Sequence, residues 1–218
     1  MRSLFEIIDS VGVLRPRGVI QVGAHVGEEV ELFFNNGISY AALIEPLDKP
    51  FEILKLLCAS KPGFIPVQAL CGQTDGEIVD YFVSSNYGAS SSILRPARHL
   101  TDFSEIKFEN PVKMRTFTID SIFLALQKSR PDVANSIDLL FMDVQGAELR
   151  VLKGAYKILK KVNVIYTEVG LGGGYAGDVA VSDLINFLRD YSFDIYELQI
   201  DPSGWGNAVF FKRKPGLI

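Results

Sequence analysis

Cys58 and Cys71 are the only cysteines in the 218 residues. So few build no disulfide framework, and both sit in apolar company, which suits a reducing interior. Long apolar runs are missing as well. None approaches the ~20 residues of a membrane-spanning helix, and Glu6 and Asp9 interrupt the stretch before Val13 that a secretory leader would need. The expectation is a soluble, cytoplasmic protein with no membrane partner. Lys and Arg number 22 against 26 Asp and Glu, for a net charge of −4, and they are scattered. The basic stripe of a nucleic-acid surface is therefore absent, and no nucleic-acid partner is expected. Repeats, low-complexity tracts and dividing linkers are also lacking, so one domain over residues 1–218 is expected.

What is present is apolar and periodic. Hydrophobic residues make up 48% of the chain, enough to fill a sizeable core. Gly18 to Val22, Tyr40 to Ile44 and Phe64 to Leu70 read as buried strands. Between them, Val30, Phe33 and Phe34, then Phe51, Leu54, Leu57 and Cys58, keep the spacing of inner helix faces. This β-α-β-α-β order implies a parallel sheet with covering helices. Glu77 to Ser84 and Val112 to Phe117 read as strands in a less regular middle. Ile119, Ile122, Phe123 and Leu126 follow helical spacing. Asn86 to Arg98, rich in serine, reads as a flexible surface loop. Ile137 to Met142 and Val162 to Thr167 are strands around one helix running through Val151, Leu152, Ala155, Ile158 and Leu159. Val181, Leu184, Ile185 and Leu188 mark another helix. Phe193 to Leu198 and Ala208 to Lys212 are separated by too few residues for a crossover, so they pair antiparallel.

Three places carry chemistry. Gly23-Ala24-His25-Val26-Gly27 joins the first strand to the first helix and lacks the G-x-G-x-x-G spacing of a dinucleotide fingerprint. Glu28 and Glu29 follow at once, which disfavours a diphosphate and favours a ligand presenting an ammonium and a sulfonium. An ordinary glycine turn has the same composition, and His25 is given no chemistry beyond lining the loop. Glu45 ends the second strand before Pro46, where α/β folds grip the two hydroxyls of an adenosine ribose. Asp143 ends the fourth strand of the parallel series, Glu148 opens the next helix and Glu168 ends the neighbouring strand. These three carboxylates are candidates to position an acceptor hydroxyl and take its proton. Helix capping by Asp143 and dipole stabilisation by Glu148 are the structural alternatives. The same three acids offer the oxygen ligands that Mg²⁺ prefers. With Gln145 diluting their charge, no metal is expected.

Taken in order, these segments resemble the FkbM family of S-adenosylmethionine-dependent methyltransferases. Gln21-Val22-Gly23-Ala24-His25-Val26-Gly27, Glu45-Pro46, Ala69-Leu70, Thr116 to Ile122, Ile137 to Glu148 with Val151 to Ala155, and Val164 to Val169 each look like family segments. The resemblance implies a seven-stranded Rossmann-like methyltransferase sheet, mostly parallel with a C-terminal antiparallel hairpin. It implies S-adenosylmethionine as cofactor, held by Gln21, Gly23, Ala24, His25, Gly27, Glu45, Pro46, Ala69, Leu70 and Asp143. Catalysis falls to Asp143, Glu148 and Glu168, and the acceptor to Asn86, Ser91 and Gln145. The acceptor is expected to be a hydroxyl of a sugar, lipid or secondary metabolite. Two positions depart from the family pattern: Gln21 and Gln145 stand where acids are common, with Glu28 the expected compensation near Gln21. A non-catalytic cofactor-binding protein and a nicotinamide oxidoreductase are the competing readings. Asn86 to Ser92, if not merely a surface loop, is a candidate lid over the cofactor, and Gly172-Gly173-Gly174-Tyr175 is a second.

Overall fold

Gly18–Val22 is buried at every position, as a central strand covered on both faces must be. The structure is a computed structural model that describes residues 2–213. The domain expected over residues 1–218 therefore extends past the described residues at both ends. In chain order the elements are α1 (Leu4–Val11), β1 (Gly18–Val22), α2 (Val30–Asn35), β2 (Tyr40–Glu45), α3 (Asp48–Cys58), β3 (Phe64–Gln68), β4 (Leu70–Cys71), β5 (Ile78–Tyr81), α4 (His99–Asp102) and β6 (Val112–Phe117). They continue with α5 (Ile119–Ser129), α6 (Pro131–Ser136), β7 (Ile137–Met142), α7 (Glu148–Lys153), α8 (Tyr156–Lys161), β8 (Val164–Gly170), α9 (Val181–Asp190), β9 (Phe193–Ile200) and β10 (Trp205–Lys212).

Within these residues a seven-stranded sheet runs β3-β2-β1-β7-β8-β10-β9. The first five strands are mutually parallel, and β10 enters antiparallel between β8 and β9. The mostly parallel sheet with a terminal hairpin is as expected. Alternate residues face opposite layers. Ile20, Val22, Ala42, Ile44, Leu140 and Met142 pack with residues of α5, α7, α8 and α9. Val19, Ala41, Leu43, Leu139 and Phe141 pack with residues of α1, α2 and α3. The crossovers from β1 lead outward to β2 and β3, and the chain returns beside β1 as β7. Strand order thus reverses between β1 and β7, and open α/β sheets bind ligands beyond the strand ends at such a point.

The structure departs from these expectations at several places. The third strand ends at Gln68 rather than Leu70; Leu70–Cys71 instead pairs with β6 in a second sheet ordered β4-β6-β5. Phe34 points outward, 53% exposed, because α2 turns only Val30 and Phe33 inward. Leu57 is likewise partly exposed on α3. The single helix expected through Val151 and Leu159 is two, α7 and α8. At the break, Gly154 passes so close to the Gly72 carbonyl that a Cβ would lie 2.5 Å from its oxygen. The Asp120 carboxylate then accepts the amides of Lys157 (2.8 Å) and Ile158 (3.1 Å), starting α8 afresh. Finally, α1 was not anticipated. Its signal was present as Ser3 and Glu6, which form a reciprocal capping box, and it buries Leu4, Phe5, Ile7 and Ile8.

Candidate active site

The turns after β1 and β7 press together where the strand order reverses. Gly23 has φ +81°, and a Cβ there would sit 1.8 Å from the Asp143 carbonyl oxygen. Only glycine fits both the dihedral and the approach. The amides of Gly23 and Ala24 donate to the Ile44 carbonyl (3.0 and 2.9 Å), and that of Asp143 to the Val22 carbonyl (3.0 Å). Three strand ends are thereby fixed around one cleft of about 220 Å³.

Of the expected cofactor contacts, Gly23, His25, Glu45, Pro46, Ala69, Leu70 and Asp143 line this cleft. Gln21, Ala24 and Gly27 are buried and do not line it. Glu45, 4% exposed, accepts the amides of His25 (3.0 Å) and Leu47 (2.8 Å). Burial outweighs those bonds and pushes its pKa to about 7. Gln21 donates Nε2–H to Glu29 at 2.8 Å, while its Oε1 has no partner among the described residues. Glu28 and Glu29 both line the cleft, and Glu29 is the one that accepts the Gln21 hydrogen bond. Burial raises the Glu29 pKa, opposed by the Gln21 bond. His25, at φ +44°, lies between the Glu28 carboxylate (Nδ1, 2.7 Å) and the Tyr87 carbonyl (Nε2, 3.2 Å). Burial opposes its cation, but these two acceptors prevail and its pKa is raised.

The serine-rich segment is not a flexible surface loop, and the physical reason is hydrogen bonding. Ser84, Ser90, Ser91 and Ser92 are buried. The Ser84 amide donates to Ser91 Oγ (3.0 Å), the Ser90 amide to Ser84 Oγ (3.0 Å), and Asn86 Nδ2 to Ser90 Oγ (3.0 Å). Composition shows only that these residues are polar; the fold engages the hydroxyls of Ser84, Ser90 and Ser91 inside the loop, and that of Ser92 on the Gln145 carbonyl. Ser91 reaches the cleft wall with Ser92 and Ile93, whereas Asn86 braces the loop from behind.

Asp143 stands at the cleft wall, and Gln145 beside it has φ +54°. Gln145 Nε2 donates to both Asp143 Oδ1 (2.7 Å) and Glu168 Oε2 (2.9 Å), so one amide bridges the two carboxyls. Asp143 is accessible from the cleft yet ringed by protein, and that environment raises its pKa. Glu168 is raised well above the usual carboxylate range by burial, then by the charges of Asp143 and Glu148. The pair therefore holds a proton that two exposed carboxylates would release. Glu148, 4% exposed, turns away from the cleft and accepts the amides of Val144 (3.2 Å) and Gly146 (3.3 Å). Burial pushes its pKa to about 7. Among the described residues no three metal-ligating side chains group to hold an ion. Nor does any described lysine or arginine line the cleft, which leaves its walls negative. Such walls attract a cation, offer Glu45 to a pair of hydroxyls, and offer Asp143 to a proton. Tyr81 and Ile93 on the wall carry no signal in the sequence, whereas Glu29 already stands out with Glu28 as a charge beside the glycine loop.

Residues 21–195 match the model of the methyltransferase FkbM domain. The 2-O-methyltransferase NoeI of Sinorhizobium fredii (strain NBRC 101917 / NGR234) is 27% identical over 146 residues, covering 67% of this chain and 54% of that protein. The chain thus spans about half the length of that relative. TrmK of M. capricolum, solved with S-adenosyl-homocysteine, superposes with a TM-score of 0.51 at 10% identity, covering 98% of this chain and 70% of its own. The fibrillarin/Nop5p complex gives 0.52 at 13% identity, over 95% and 79%. At these identities the structural likeness is one of fold. No helix among the described residues is long and apolar enough to cross a membrane.

Proposed function

The chain belongs to the FkbM methyltransferase family, and from that premise we propose that it moves a methyl group from S-adenosylmethionine to a hydroxyl of a small or glycan acceptor. The observation that carries the reading is the placement of Glu45. It sits in the cleft at the end of β2, opposite Asp143, with the close-packed Gly23 turn between the two strand ends. The residues present fit the cofactor. The carboxylate of Glu29, held by Gln21 from behind the wall, suits an ammonium, Glu45 suits the ribose hydroxyls, and Ala69 and Leu70 suit the flat face of an adenine. A dinucleotide is disfavoured, because its diphosphate would meet Glu28, Glu29 and Asp143 with no lysine or arginine on the wall among the described residues.

S-adenosylmethionine, when bound, supplies an electrophilic methyl group on a sulfonium. This chain's task is then to orient an acceptor and relieve it of a proton. Asp143 Oδ1 is the proton acceptor in this reading, and Glu168 shares the charge through Gln145. Glu148 fixes the turn that carries Asp143 and Gln145, while Ser91 and Gln145 face the acceptor. A hydroxyl of a neutral sugar suits negative walls, and the relative named for 2-O-methylation supports oxygen as the acceptor atom. A cytoplasmic location, a single domain and the absence of a nucleic-acid partner belong to the same proposal. Calorimetry with S-adenosylhomocysteine and with NADH tests it. Binding of the first alone is the expected result; binding of NADH alone overturns the reading.

A further inference from the structure

Tyr175, only 1% exposed, connects three loops around the acid pair. Its own loop is anchored by Asp178, whose carboxylate accepts the amides of Gly173 (2.7 Å), Gly174 (2.9 Å) and Tyr175 (3.1 Å). The ring packs between His99 (5.3 Å) and the edge-on indole of Trp205 (6.1 Å). The hydroxyl then reaches two carbonyl oxygens, Ser90 O at 2.8 Å and Gln145 Oε1 at 3.3 Å. It has one hydrogen to share between them, with Ser90 the nearer partner. The backbone of Gln145 is held separately, by Ser92 Oγ at 2.9 Å.

We propose that Tyr175 is a positioning residue for the acid pair: it keeps the Gln145 amide turned with nitrogen, not oxygen, toward Asp143 and Glu168. A primary amide has a donor end and an acceptor end of nearly equal shape. With Nε2 toward the carboxyls, both can be ionised and hydrogen-bonded. Turned half a revolution, the amide sets Oε1 against them, and only protonated carboxyls satisfy it. The amide's orientation therefore decides how readily the pair gives up its proton. The surroundings press the other way. Glu148 from α7, Glu28 and Glu29 from the glycine loop, and the phenol of Tyr166 on β8 all face the pair, with His25 the cation nearby. Without the donor end, little else keeps Asp143 ionised. The consequence for catalysis rests on the methyltransferase reading; the geometry does not.

The test is a carboxyl 13C NMR titration of the whole protein, with Asp143 and Glu168 assigned through D143N and E168Q. Y175F should raise the apparent pKa of the pair by about half a unit or more. Affinity for S-adenosylhomocysteine should change less than about threefold, since Tyr175 does not line the cleft. Q145L should raise the pKa further, and Y175F should add nothing in the Q145L background. An unshifted pair in Y175F, or shifts that add in the double variant, overturns the proposal. A purely structural role would lower Tm and leave the titration in place. If Y175F does not fold, D178A, which frees the same loop at its other end, must shift the pair upward, and no shift overturns the proposal. Failure of the wild type to bind S-adenosylhomocysteine would instead refute the proposed function and leave the titration result standing.

Discussion

The Glu45 carboxyl makes cofactor binding dependent on pH in a window set by its burial. Its pKa of about 7 means that the free protein at neutral pH is divided between acid and carboxylate. Ribose hydroxyls are donors, and they favour the carboxylate. Binding therefore lowers the pKa of Glu45 and releases protons, so affinity rises as pH rises through 7 and is lost as pH falls below it. The ionised fraction goes from about one-eleventh at pH 6 to about ten-elevenths at pH 8. The Kd for S-adenosylhomocysteine should then fall up to about tenfold across that span, or about 1.4 kcal/mol. S-adenosylhomocysteine is the right probe because it lacks the sulfonium charge, so the titration of Asp143 contributes less. Calorimetry in two buffers of different ionisation enthalpy measures both the Kd and the protons released. E45Q should flatten the dependence and weaken binding at pH 8. It also puts an amide hydrogen against the N–H of His25 or Leu47, so its Tm must be recorded beside its Kd. A wild-type Kd that does not change between pH 6 and 8, or an E45Q slope equal to that of the wild type, refutes the assignment of Glu45 to the ribose.

Three further outcomes are expected. D143N should reduce kcat on a sugar acceptor by about 10²- to 10⁴-fold, the range of a lost general base, with S-adenosylhomocysteine affinity nearly unchanged; turnover at the wild-type rate would leave Asp143 as no more than a helix-entry residue. D120A should lower Tm by about 2–8 °C, from the loss of a cap of about 1–2 kcal/mol at the start of α8, while cofactor affinity stays put; an unchanged melting curve would show that the Lys157 and Ile158 amides find other acceptors. Methyl transfer should persist in EDTA, because the two carboxyls nearest the reaction centre already share the Gln145 donor; activity restored only by added Mg²⁺ would recast Asp143 and Glu168 as metal ligands.

The parallel sheet was legible because its strands carry their own signal. β1, β2 and β7 are short apolar runs, buried almost throughout, and local pattern decides where such strands lie. Glu45 was legible for a related reason: a carboxylate directly after five apolar residues and before a proline has few other places to be. What stayed hidden depends on partners distant in sequence. The break between α7 and α8 comes from Gly72 and Asp120, residues far from Gly154 along the chain, and the helical spacing of Val151 to Leu159 runs straight across it. The buried serine loop was hidden because serine composition does not reveal whether a hydroxyl meets water or a neighbouring amide. Tyr175 was hidden because three glycines before it advertise a hinge, whereas Asp178 ties the same segment down.

The two glutamines at positions where the resemblance leads one to expect acids have the same structural solution. Gln21 passes its amide hydrogen to Glu29, and Gln145 passes its own to Asp143 and Glu168. In each case the negative charge is displaced by one side chain rather than lost, and a neutral donor stands between carboxylates that would otherwise crowd one another. Burying several acids in a small cleft is costly, as the raised pKa values of Glu45, Glu148 and Glu168 show. Replacing two acids by donors lowers that cost while the walls remain negative. Relative to an all-acid site, such a cleft trades some attraction for a cationic cofactor against a lower desolvation penalty in its absence. The same two glutamines therefore favour retained cofactor binding over a vestigial pocket, since a pocket freed of its ligand would have no reason to keep Glu29, Glu45, Asp143 and Glu168 together.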